Sequence, residues 1–200
     1  RLLSLLVVRM PATVAAMTLP RLTYREATRN DFKAVGDLRT VVFSPHLSSP
    51  YSQYLQSRLY SEPLISKAAV VVAEVVPSTS ENNGGLPGGT LVGAADLAAP
   101  AAAGVAYVTN VCVHPEARRN GIGRRLVVTL EELARARGVR HLVLHVDETN
   151  EGAIALYRAQ GFEVSGDPSL KTAVAEFEDT TGEPQVFMTK RLPAEAAEAK

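Results

Sequence analysis

The chain has 200 residues, 21 basic and 21 acidic side chains, 46% apolar residues and a single cysteine. That length suits one domain whose core needs no staples. The neutral balance argues against a dedicated nucleic-acid binder, and one cysteine excludes an internal disulfide framework or a cysteine-based metal cluster. No apolar run approaches the roughly eighteen residues needed to span a bilayer.

Residues 1–21 read as a leader. Arg1, Arg9, Arg21 and Arg25 all precede the first acid, Glu26, with Ser, Thr and Ala between them. Such an acid-free, Arg-containing stretch resembles the tail of an organelle transit peptide, and an unstructured leader is the equal alternative. Residues 22–192 then form the expected domain. Residues 193–200, rich in Ala and Glu, read as a fraying tail.

Residues 22–27 look like a first strand, followed by N-cap candidates at 28–31. Phe32, Val35, Leu38 and Val42 mark an amphipathic helix. Tyr51, Tyr54, Leu55 and Leu59 give a second helix, on which packing is the first reading of the aromatics. An apolar run at 68–76 and a strand at 90–97 make a hairpin around the polar loop at 77–89. Residues 142–146 form a strand, Asn150 or Thr149 caps a short helix, and Gly161 fits that helix's left-handed end. Strands starting at Phe162 and covering 185–192 complete the sheet.

The most informative stretch is residues 107–125. Val108, Val111 and Val113 are strand formers, with Cys112 on the opposite side as a small core residue. Pro115 stops the strand. Leu126, Val127, Leu130, Leu133 and Ala134 then repeat at helical spacing. Gly121 and Gly123 therefore stand at a helix N-terminus, where free N–H groups and the helix dipole favour a phosphate. The loop lacks the Lys-Ser/Thr of a Walker A motif and the third glycine of a dinucleotide fingerprint.

Arg118-x-x-Gly121-x-Gly123 after such a strand resembles the acetyl-CoA loop of the GNAT N-acetyltransferases. The later block of Leu144-His145-Val146, Asn150, Leu156-Tyr157 and Gly161-Phe162 resembles that family's second block. The resemblance implies an α/β fold: a mixed, mostly antiparallel sheet of six or seven strands with about four helices. It implies acetyl-CoA held by Arg118, Arg119, Asn120, Gly121, Ile122, Gly123 and Arg124, with the coenzyme arm lying along the backbone of Val111, Cys112 and Val113. Asn150 is a further coenzyme contact or a helix cap, or both. Glu116 and the Arg119 side chain read as solvated surface.

The same resemblance assigns catalytic roles. Tyr157 is the acid that protonates the leaving thiolate. His145 is the base, and Tyr107 accompanies it, as in an Nα-acetyltransferase subgroup with the same Leu-His-Val. A neutral imidazole, with an ordinary pKa near 6.5, suits proton removal near neutrality. His141, on the same strand face as His145, reads as structural. In the family the region around residues 51–60 borders the acceptor site, so Tyr51, Tyr54 and Tyr60 are possible substrate contacts. The implied activity is acetylation of a protein or peptide acceptor at an N-terminal α-amine, a lysine, or both. The alternatives are a small amine acceptor and a non-catalytic subunit. The Ala-rich composition and the leader resemble plastid members, with the mitochondrion or cytoplasm as alternatives. Oligomeric state and partners are not legible.

Overall fold

The valine-rich runs become strands of one sheet. The computed structural model describes residues 21–61, 68–76, 88–99, 104–177 and 184–193. Among them are β1 (Leu22–Glu26), β2 (Ala68–Val75), β3 (Leu91–Ala98), β4 (Val105–Val113), β5 (His141–Asp147), β6 (Glu163–Val164) and β7 (Gln185–Arg191). These seven strands are ordered β1-β2-β3-β4-β5-β7-β6. Every neighbouring pair is antiparallel except β4 and β5. The leader, most of the 77–89 loop and most of the tail lie outside the described residues.

Among the described residues five α-helices accompany the sheet, against about four expected: α1 (Phe32–Phe43), α2 (Pro50–Ser61), α3 (Ile122–Ala136), α4 (Glu151–Ala159) and α5 (Pro168–Ala173). The unforeseen one is α5, too short for helical periodicity to show. Its local signal is Asp167-Pro168: the Asp167 carboxylate accepts from the N–H groups of Ser169 and Leu170, and proline suits a first helical turn. Among the described residues no helix is long and apolar enough to cross a membrane.

Strand alternation divides the core into two layers. Val71, Ala73 and Val75 join Leu126, Val127 and Leu130 of α3 on one face. Val70 and Val72 join Val35 and Leu38 of α1 on the other. Gly93 lets α3 approach β3, because a Cβ there would lie 3.0 Å from both Ile122 Cγ2 and Leu126 Cδ1. On the second face, α5 lays Leu170 and Ala173 against Tyr107, Val143 and Phe187.

One packing expectation fails. Tyr51, Tyr54, Leu55 and Leu59 of α2 are between 43% and 69% exposed. The helix is tied to α1 by its polar side instead, where Ser57 Oγ donates to Asp37 Oδ1 at 2.5 Å. The Tyr60 side chain lies outside the described residues.

Candidate active site

Two left-handed residues shape the loop after β4. Arg119 has φ 66° and Gly121, the N-cap of α3, has φ 74°. Glycine adopts that region without the steric cost a side chain carries. The Asn120 amide stitches the turn by donating to the carbonyls of Ala117 and Arg118 at 3.2 and 2.9 Å. Arg118 Nε donates to the Val113 carbonyl at 3.3 Å, joining loop to strand. The N–H groups from Asn120 to Arg124 have no hydrogen-bond acceptor among the described residues, as a helix start requires. A Cβ at Gly121 would meet nothing within 4 Å, so this backbone is open to a ligand. The Ile122 side chain is buried in the core, so this residue offers its backbone alone. Arg118, Arg119, Asn120 and Arg124 are exposed.

Beside the loop the sheet opens. β4 pairs with β5 only at Val105, Ala106 and Tyr107. Beyond Tyr107, β4 continues on β3 while β5 continues on β7. The edge of β4 at Val111, Cys112 and Val113 is thus left unpaired on the β5 side. A β-bulge coincides with the divergence: Asp96 faces Thr109 and Ala94 faces Cys112, so β4 carries one extra residue. Asn110, inside it, has φ 52°.

The catalytic candidates lie on opposite faces of the sheet. The Tyr107 hydroxyl lies 3.1 Å from His145 Nδ1. Tyr107 stacks on Phe177 at 4.7 Å, and the His145 ring rests on Phe187 at 4.9 Å. Tyr157 belongs to the layer on the other face, edge-on to Phe162 at 5.7 Å. Burial pushes its phenol well above the usual tyrosine range, and Tyr107 nearby adds to the shift. It therefore stays protonated at neutral pH. Asn150 caps α4, accepting from the Ala153 N–H at 3.1 Å. Cys112 is buried, and burial pushes its thiol up to about 11, so it is an unactivated core residue.

Two groups escaped the sequence reading. Phe177 and Phe187 back the Tyr107–His145 pair, but nothing in their spacing links them to it. The second group is a buried polar cluster. Arg39 of α1 contacts Asp96 Oδ1, and Asn110 Nδ2 donates to Asp96 Oδ2 at 2.9 Å. Its signal was available, since Asp96 interrupts an otherwise apolar strand and a buried carboxylate needs partners.

Comparisons with known proteins agree with this geometry. The family model described as "Acetyltransferase (GNAT) family" matches residues 68–162. The chain is 49% identical over 59 residues to GCN5-related N-acetyltransferase 4, chloroplastic, of Arabidopsis thaliana, a stretch covering 30% of this chain and 20% of that protein. It is 42% identical over 57 residues to the ribosomal protein bS18-alanine N-acetyltransferase of Escherichia coli, covering 28% of this chain and 38% of the relative. The matches thus span well under half of these relatives. A crystal structure of the Escherichia coli ribosomal-protein-S18-alanine N-acetyltransferase superposes with TM-score 0.59 at 19% identity, over 90% of this chain and 99% of that one. The PaiA N-acetyltransferase of Thermoplasma acidophilum, solved in complex with coenzyme A, superposes with TM-score 0.55 at 19% identity, over 86% of this chain and 99% of that one. Acetyl-CoA, the family's acyl donor, suits the free N–H groups and open Gly121 found here. The chain has the fold of the GNAT acetyltransferases, and that family's model matches its residues 68–162.

Proposed function

We propose that the protein transfers the acetyl group of acetyl-CoA to a protein or peptide amine, foremost an N-terminal α-amine and secondarily a lysine side chain. The observation that carries this reading is the Tyr107 hydroxyl 3.1 Å from His145 Nδ1, at the mouth of the strand gap. An α-amine, with an ordinary pKa near 8, is partly neutral at pH 7.5, whereas lysine near 10.4 costs more to deprotonate. A paired phenol and imidazole suit the easier task.

Acetyl-CoA supplies an acetyl group bound as a thioester. The chain's residues hold and orient it and move the protons. The N–H groups of residues 120–124 and the α3 dipole bind the pyrophosphate. The open β4 edge offers backbone hydrogen bonds to the coenzyme arm and to the carbonyl oxygen as charge builds there. When the amine nitrogen bonds to the acetyl carbon, its proton passes to the imidazole through the Tyr107 oxygen. Tyr157 gives its proton to the departing sulfur. Burial weakens Tyr157 as an acid, but the same dry surroundings raise the basicity of a thiolate, so the transfer is not disfavoured by burial alone.

The test is incubation with acetyl-CoA and a mixed peptide library, read by mass spectrometry for the acetylated atom. Acetyl groups on α-amines are expected, and no acetylated peptide would sink the reading. In the wild type, the acidic limb of the rate profile should keep its position when the acceptor amine's pKa is changed, and His145→Ala should abolish that limb. A limb that follows the acceptor removes His145 as the base. The Arabidopsis chloroplastic relatives support a plastid location. A full-length fluorescent fusion that stays diffuse in the cytosol would overturn it.

A further inference from the structure

Acetyl transfer as derived from Tyr107, His145 and Tyr157 makes no use of the Arg39–Asp96–Asn110 cluster, which is an expensive thing to bury. Arg39 and Asp96 are 1% and 2% exposed. Burying such a pair costs desolvation that its attraction need not recover, so stability alone is a poor reason for it. Its position points to another. Asp96 Oδ1 contacts Arg39 from α1, and its Oδ2 accepts from Asn110 Nδ2 at 2.9 Å. Asn110 is the left-handed residue of the bulge, at φ 52°. Few residues other than glycine accept that conformation, and asparagine does so best when its side chain has a local partner.

The bulge inverts the facing of the rest of β4. Ala106 and Val108 face the α3 layer, and so do Val111 and Val113, whereas strict alternation would have sent 110 and 112 there. Cys112 instead faces the α1 layer. One inserted residue has therefore flipped every later side chain of the strand. Val113 is thereby placed so that its Cγ2 lies 3.8 Å from the Cβ position of Gly123. The register also decides which backbone groups of 111–113 face the gap and which face β3.

We propose that Asp96, anchored by Arg39, is a positioning residue: it holds Asn110 left-handed and so fixes the register and aim of the open β4 edge at residues 111–113. The proposal rests on the acetyltransferase reading for its effect on turnover, but not for its effect on the backbone.

The test compares Asn110→Ala with Asn110→Gly. Both lose the bond to Asp96, but only glycine regains the left-handed conformation freely. Two measurements are made: turnover with acetyl-CoA and an acetylatable peptide, and the amide chemical shifts of residues 111–113 in the ligand-free protein. Asn110→Ala should lower turnover at least about tenfold and displace those shifts, with a near-normal acceptor KM. Asn110→Gly should return turnover to within about threefold of wild type and restore the shifts. A merely structural role would lower the melting temperature of both variants and leave the turnover of the folded protein unchanged. Unmoved 111–113 shifts in Asn110→Ala, or equal impairment of both variants, would overturn the proposal. A wild type that acetylates nothing would instead defeat the acetyltransferase reading, and the amide shifts would still decide this one.

Discussion

The two walls of the cleft are made of different material. The proposed coenzyme wall is backbone: the 118–124 loop, the N-terminus of α3 and the edge of β4 that the described strands leave unpaired. The opposite wall is side chain: Tyr107 on Phe177 and His145 on Phe187. Backbone groups recognise what every acetyl-CoA has in common. Side chains can vary without disturbing the fold, so under the proposed function discrimination among acceptors would fall to them. The Asp96 cluster runs between the two, from α1 to the β4 bulge.

The largest effect expected is from Tyr157→Phe, which removes one hydroxyl and little volume. Loss of a general acid should lower turnover about 10²–10⁴-fold, with coenzyme affinity and melting temperature nearly unchanged. A drop under about threefold, measured by steady-state kinetics, would leave Tyr157 as packing and dissolve the meeting of two walls at the sulfur.

Asp96→Asn strikes the link between the walls. Leaving a buried guanidinium without its counter-charge should cost about 3–5 kcal/mol, read by urea unfolding. A loss under about 1 kcal/mol would mean that the Arg39 charge finds other compensation, and α1 would not be tied to β4 through Asp96.

Gly121→Val strikes the backbone wall alone. A β-branched residue at φ 74° is strained whatever space surrounds it. Coenzyme affinity by calorimetry should fall at least about tenfold, or about 1.4 kcal/mol, with acceptor KM little changed. Unchanged affinity in a folded variant would remove the phosphate site from this loop. Tyr54→Ala, on the exposed side of α2, should do the reverse and by less. A few-fold rise in acceptor KM is expected, with stability within about 0.5 kcal/mol because the residue is a surface one. No change in KM for any peptide would place the acceptor away from α2.

The same division explains what could be read from the residues alone. The α3 start, the strand before it and the left-handed Gly161 are local, since each follows from a few neighbouring residue types, and each stands where expected. The Tyr107–His145 contact joins residues far apart in the chain and was reached only through a family resemblance. Phe177, Phe187 and Arg39 were not foreseen, because a ring stacked behind another or an arginine turned inward on a helix leaves no periodic trace. The α2 stripe misled for a related reason. Helical spacing shows that apolar residues share a side, but not whether another element covers that side.

β7 is last among the described strands in chain order, yet it sits inside the sheet, between β5 and β6. His145 is registered against Phe187 and Val164 against Met188. Until residues 185–191 have been synthesised, β5 lacks its antiparallel neighbour and the imidazole lacks the ring behind it. Because domains generally fold as units during synthesis, the Tyr107–His145 pair, the proposed proton acceptor, gains its backing ring only at the end. A chain cut short before residue 185 carries the whole 118–124 loop but leaves the His145 ring without Phe187, so under the proposed function the order of translation would withhold the chemistry from unfinished protein.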